Sequence, residues 1–113
     1  MKYIPSQGDI VWLDFNPQAS HEQKGRRPAL IVWNDKLLKR IPGMSQVCAI
    51  SHTSNDFPLH VKLDEESLNT DGYVLCEQNR VLDLNARNVE YKDHVSDKVL
   101  NEVINILIAS IEK

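Results

Sequence analysis

Apolar positions along the chain fall mostly in short runs suited to strands, and only once in a long run with helical spacing. Residues 9–15 (DIVWLDF) contain four consecutive apolar side chains, Ile10 to Leu13. Such a run predicts a strand buried on both faces, or with one face in the core and one in an interface. Residues 28–33 predict a second strand, with Pro28 at its start, where no ladder donor is missed. Asn34 or Asp35 can cap a short helical turn over residues 36–40, which Pro42-Gly43 stops. Residues 46–51 (QVCAIS) read as a third strand. Leu59, Val61 and Leu63 alternate with His60 and Lys62, the mark of a half-exposed strand over 59–63. Asp71-Gly72 signals a turn. Residues 73–77 and 80–84 predict two strands around Gln78-Asn79, and 88–91 a short final one.

Ser96 then caps the one long helix, running to about residue 112. Val99, Leu100, Val103, Ile104, Leu107, Ile108 and Ile111 follow the i, i+3, i+4, i+7 spacing of a single apolar stripe. Asp97 near its start and Lys113 at its end suit the helix dipole. The stripe would serve as a membrane or partner face, or as a core face, and the strands need a cover. The expected fold is therefore mainly β with short helices (α+β). It is a small, mostly antiparallel barrel with the C-terminal amphipathic helix packed on it.

At 113 residues the chain has room for one core, and residues 1–113 read as a single domain. Its 13 Lys+Arg against 16 Asp+Glu give a net charge of -3, which argues against a general nucleic-acid coat protein. A local basic patch on an acidic protein still binds phosphate, so a nuclease is not excluded. Cys48 and Cys76 lie in apolar runs, too few for a disulfide scaffold and without metal-ligand spacing. Buried reduced thiols of a cytoplasmic protein are the expectation. No signal-peptide pattern opens the chain, and residues 103–111, its most apolar window, are interrupted by Asn105 and are too short to span a bilayer.

One polar stretch stands out, residues 21–28 (HEQKGRRP), where an imidazole, a carboxylate and three cations are packed together. Gly25 allows a sharp turn. Pro28 crowds the α region of the preceding residue, so Arg27 enters the second strand extended. The loop between Pro17 and Arg26 is long for a small domain, which points to function or disorder. By itself the stretch is equally a solvated loop.

In order along the chain stand Gly8-Asp9-Ile10-Val11-Trp12, then His21-Glu22-Gln23-Lys24-Gly25-Arg26-Arg27-Pro28, then Thr53-Ser54, then residues 77–87 (EQNRVLDLNAR) and the terminal amphipathic helix. Together they resemble the PemK/Kid/MazF family of type II toxin endoribonucleases, nearly end to end. The resemblance implies an SH3-like barrel, a homodimer and a metal-independent ribonuclease that cuts single-stranded RNA at short sequences, with no cofactor. It also implies a cognate antitoxin protein that covers the site, in a complex able to bind its own promoter DNA.

Metal-free RNA cleavage needs a base for the 2′-hydroxyl, a cation for the phosphorane and an acid for the leaving 5′-oxygen. Arg27 matches the family's arginine before proline. A guanidinium is a planar fork of donors, a good phosphorane clamp and a poor proton donor. Its bland alternative is an edge-strand pair with Glu77 or Asp83. Glu77 matches an acidic family position and serves as the base, or holds Arg27, or forms only a salt bridge. His21 matches the histidine of Kid-like members and suits either proton-transfer role. Thr53 and Ser54 match a strand-end Thr-Ser that donates to the scissile phosphate, with Ser51 as a competing assignment. Glu22, Gln23, Lys24, Arg26, Phe57, Gln78, Arg80 and Arg87 are candidate RNA contacts, Glu22 and Gln23 also shaping the loop and Arg80 and Arg87, on family-like positions, alternatively structural. Kid-like members carry an arginine as acid where this chain has Leu75, so either that role moves to His21 or Arg27 or the activity is weak.

His52, His60 and His94 have no ligand spacing and read as surface imidazoles. Trp12 and Trp33 read as core residues rather than base-stacking ones, and Phe57 is the better stacking candidate. Two other functions fit the same fold: a non-enzymatic poison of DNA gyrase like CcdB, and a degenerate toxin that only binds its antitoxin.

Overall fold

A computed structural model of the chain describes residues 3–15, 25–52 and 57–113. Among the described residues, six strands and two helices follow in the order β1 (Asp9–Asp14), β2 (Arg26–Ile31), α1 (Asp35–Arg40), β3 (Met44–Ser51), β4 (His60–Leu63), β5 (Gly72–Asp83), β6 (Glu90–His94) and α2 (Asp97–Ile111). The strands form one sheet in the order β4-β5-β3-β2-β1-β6. Every pairing is antiparallel. The sheet curls into a half-barrel with β4 and β6 at its edges.

The run Ile10 to Leu13 is apolar because the curled sheet has a core on each face. Ile10 joins Leu30, Cys48, Val61, Val74 and Cys76 on one face, covered by Val99 and Val103 of α2. Val11 and Leu13 join Ala29, Ile31, Val47 and Leu82 on the other, covered by Leu38 of α1 and by Leu84. The α2 stripe thus meets the sheet, with Val103 fully buried and Ile111 left 80% exposed at the helix end. Both helices start at the expected caps. The Ser96 hydroxyl accepts from the Val99 amide at 3.2 Å, and the Asn34 side chain, rather than Asp35, accepts from the Leu37 amide at 2.9 Å. Among the described residues no helix is long and apolar enough to cross a membrane.

Two expectations change. The strands foreseen on either side of Gln78-Asn79 are one strand, β5, because the break is a bulge and not a turn. Register with β3 shifts between Cys48 and Ile50. The Asn79 amide holds the distortion, donating to the Cys76 carbonyl at 2.8 Å and accepting from Gln46 Nε2 at 2.9 Å. The last strand begins later than residue 88, since residues 84–88 form a turn that Asn88 leaves with φ 55.

Trp33 is half-buried and packs against the second core, as expected, whereas Trp12 is half-buried and belongs to neither core. Trp12 lies beneath Lys92, whose Nζ is 5.2 Å from the ring centroid. Cys48 and Cys76 are free, buried thiols. Their mutual hydrogen bond, and then burial, push the Cys48 thiol up, which keeps it protonated and unreactive.

Candidate active site

Alternation along β2 places Arg27, Ala29 and Ile31 on the face opposite α2. Toward Arg27 the apolar core gives way to a groove of about 550 Å³. Its walls include Phe15 and Arg27, Ala49 and Ser51 from β3, His60 from β4, and Leu75, Glu77, Gln78 and Arg80 from β5. The bulge explains how neighbouring Glu77 and Gln78 both line it: Val74 and Cys76 point to the α2 side, and Leu82 to this one. A strand cannot change sides without an irregularity between them. Gly25 (φ +126) leads into β2, where Arg27 stands opposite Leu13 in register. The Arg27 side chain has no hydrogen bond or ion pair with any described residue.

Glu77 does not pair with Arg27. Its Oε2 meets His60 Nε2 at 3.0 Å, with the imidazole 9% exposed and the carboxylate side chain 30% exposed. His60 is therefore a groove residue, which corrects its reading as a surface imidazole. The sequence signal was present, since His60 alternates with the core residues Val61 and Leu63. The face it occupies was read as solvent, whereas the curl of the sheet makes it a groove wall. Phe57, 41% exposed, packs edge-on against the His60 ring with centroids 5.2 Å apart.

The remaining site candidates separate. Gln78 and Arg80 line the groove with Arg27 and Glu77. Ser51 lines it too, and shares with Arg27 and Ile50 a second hollow of about 430 Å³ bounded by Trp12, Arg26, Thr70 and Lys92. Arg26 is committed to the sheet edge: it donates to Asp14 at 3.0 Å, to the Asn88 carbonyl at 2.6 Å and to Glu90 at 3.2 Å. Arg87 donates to the Asp14 carbonyl at 3.0 Å. The Asn88 amide, then Arg26, hold the Asp14 carboxyl below the usual carboxylate range. His21, Glu22, Gln23, Lys24, Thr53 and Ser54 lie outside the described residues. Among the described residues no cluster of His, Cys, Asp and Glu has the makings of a metal site.

Residues 6–111 match the family described as PemK-like, MazF-like toxin of type II toxin-antitoxin system. The chain belongs to this family. It is 32% identical to Endoribonuclease PemK of Escherichia coli, over 89% of this chain and 77% of that protein. It is 31% identical to Endoribonuclease toxin MazF of Escherichia coli strain K12, over 95% of this chain and 96% of that one. A crystal structure of MazE-MazF from Deinococcus radiodurans superposes with a TM-score of 0.88 at 35% identity, covering 97% of each chain.

On this PemK/MazF-type toxin the groove brings together a guanidinium with no described partner, a hydroxyl at a strand end and a partly exposed carboxylate backed by an imidazole. A guanidinium donates in pairs to phosphate oxygens. A carboxylate accepts a proton and a hydroxyl donates to an anion. These are groups suited to a phosphodiester.

Proposed function

We propose that this toxin is a sequence-specific endoribonuclease that cleaves single-stranded RNA without a metal ion. What carries the reading is the meeting of Arg27 and Glu77, from β2 and β5, in one groove. The activity named for the relatives in Escherichia coli supports it. In this mechanism Glu77 takes the 2′-hydroxyl proton as O2′ bonds to phosphorus. Arg27 clamps the equatorial oxygens as charge builds there. The bond from phosphorus to O5′ breaks, leaving a 2′,3′-cyclic phosphate. The departing oxygen becomes a 5′-hydroxyl with a proton from His21 or Arg27. A hydroxyl of Ser51 or Thr53 donates to the scissile phosphate. Glu22, Gln23, Lys24, Ser54, Phe57, Gln78 and Arg80 contact flanking nucleotides, while Arg26 and Arg87 brace the sheet edge.

The toxin acts in the cytoplasm as a homodimer. A cognate antitoxin protein blocks it by laying carboxylates or apolar side chains into the Arg27 groove, and the pair binds its own promoter DNA. Incubation of purified toxin with RNA of diverse sequence in EDTA tests the proposal. Cut ends carrying a cyclic phosphate, and an all-DNA strand left intact for want of a 2′-hydroxyl, are expected. Uncut RNA would refute it.

A further inference from the structure

The groove wall holds one ionisable side chain that the resemblance leaves without a role. His60 keeps 9% of its side chain exposed, against 30% for Glu77, and the two meet at 3.0 Å through Nε2 and Oε2. An ionised carboxylate only accepts, so the hydrogen in this bond belongs to Nε2. Nδ1 is buried and has no hydrogen-bond partner among the described residues. The ring is wedged between Phe57, with centroids 5.2 Å apart, and Tyr73, at 6.5 Å. In register His60 faces Leu75, so the imidazole reaches diagonally across the strand pair to Glu77. With one nitrogen sealed and the other engaged, the ring has no nitrogen free to meet a substrate. Its influence passes through the carboxylate.

Resting on the ribonuclease reading above, we propose that His60 is a positioning residue. It donates from Nε2 to Glu77 Oε2, fixes the carboxylate at the groove wall, and leaves Oε1 to receive the 2′-hydroxyl proton. A glutamate on a strand otherwise swings through several rotamers, and Arg27 lines the same groove. His60 keeps base and clamp apart. The same arrangement accounts for an imidazole that gives up water for a single bond.

Steady-state cleavage of a short ribo-oligonucleotide in EDTA is compared for wild type, His60→Ala, His60→Gln, Glu77→Gln and the double variant His60→Ala/Glu77→Gln. Removing the imidazole should lower kcat about 10- to 100-fold, with KM within about threefold. His60→Gln, whose amide also donates, should recover most of that loss. In the Glu77→Gln background His60→Ala should cost less than about threefold, because the group it positions is gone. Thermal midpoints accompany each variant, and His60→Phe, which fills the ring's space without a donor, replaces His60→Ala if the latter fails to fold. The 15N shift of the His60 ring reports the contact independently of activity, and Glu77→Gln should move it. A wild type that leaves RNA uncut would overturn the ribonuclease reading and this proposal with it. A wild type that cuts, with His60→Ala equally fast or equally damaging in both backgrounds, would overturn the proposal alone.

Discussion

Replacing Arg27 by alanine separates a catalytic arginine from a structural one. Arg27 lies at the exposed start of β2 and makes no side-chain hydrogen bond or ion pair with a described residue. Truncation should therefore leave the folding free energy within about 0.5 kcal/mol of wild type, the usual range for a surface change that removes no partner. Its effect on cleavage should be large. A preorganised donor facing charge that develops in the transition state contributes about 2.7–4 kcal/mol, or about 10²–10³ in kcat. Arg27→Lys keeps the charge and loses the planar fork, so it should fall between, roughly tenfold below wild type.

Single-turnover cleavage of an RNA oligonucleotide in EDTA, with urea unfolding in parallel, gives both numbers on the same preparation. If Arg27→Ala cleaved within about fivefold of wild type, the clamp would belong to another residue. If it lost both activity and more than about 1.5 kcal/mol of stability, Arg27 would be bracing the fold. Only the combination of intact folding and failed cleavage agrees with a guanidinium that faces a groove and has no partner among the described residues.

Ser51→Ala should slow cleavage roughly tenfold, the worth of about one hydrogen bond to a charged oxygen, and an unchanged rate would leave the strand-end hydroxyl to Thr53. Gly72→Ala should cost at least about 2 kcal/mol by urea midpoint, from left-handed backbone strain: Gly72 has φ +106, and an added Cβ would stand 2.7 Å from the Ser51 carbonyl. A wild-type midpoint would refute that geometry. Asp14 is held below its ordinary value of 3.8 by Asn88 and Arg26. Its contribution is therefore complete above that value and lost as pH falls through the depressed one. The urea-midpoint gap between wild type and Asp14→Asn should narrow below about pH 4, and a gap constant from pH 7 to 3 would contradict it.

Most strands, the Ser96 cap and the covering helix are legible in the sequence because each depends on local spacing. Ser96 declares itself by residue type, and Ile10 to Leu13 by an apolar run too dense for a one-sided strand, while the choice between Asn34 and Asp35 needs the structure. The junction at Gln78-Asn79 was read as a break because polar residues there interrupt the alternation. A bulge interrupts it in the same way without ending the strand, and the Asn79 bonds that stabilise it join residues only the fold brings together. His60 was misplaced for a related reason. Alternation shows that it opposes Val61, while the curl of the sheet decides whether that side meets water or a groove.

Net charge was silent about the site for a physical reason. The chain carries three more acids than bases, yet among the described residues its arginines differ in whether they are engaged. Arg26 and Arg87 both donate to Asp14, through its carboxylate and its carbonyl, and Asn88 Nδ2 donates to the same carboxylate at 2.7 Å. Asp14 and Glu90 thus offset Arg26 at the sheet edge. Arg27 and Arg80, which make no hydrogen bond or ion pair with a described residue, line the groove, and His60 engages Glu77 on the same wall. Phosphate affinity follows that local surplus rather than the sum over the chain. An acidic protein with two guanidiniums in one groove that have no partner among the described residues is thus compatible with a polyanionic substrate, and its overall negative charge disfavours unspecific retention along RNA.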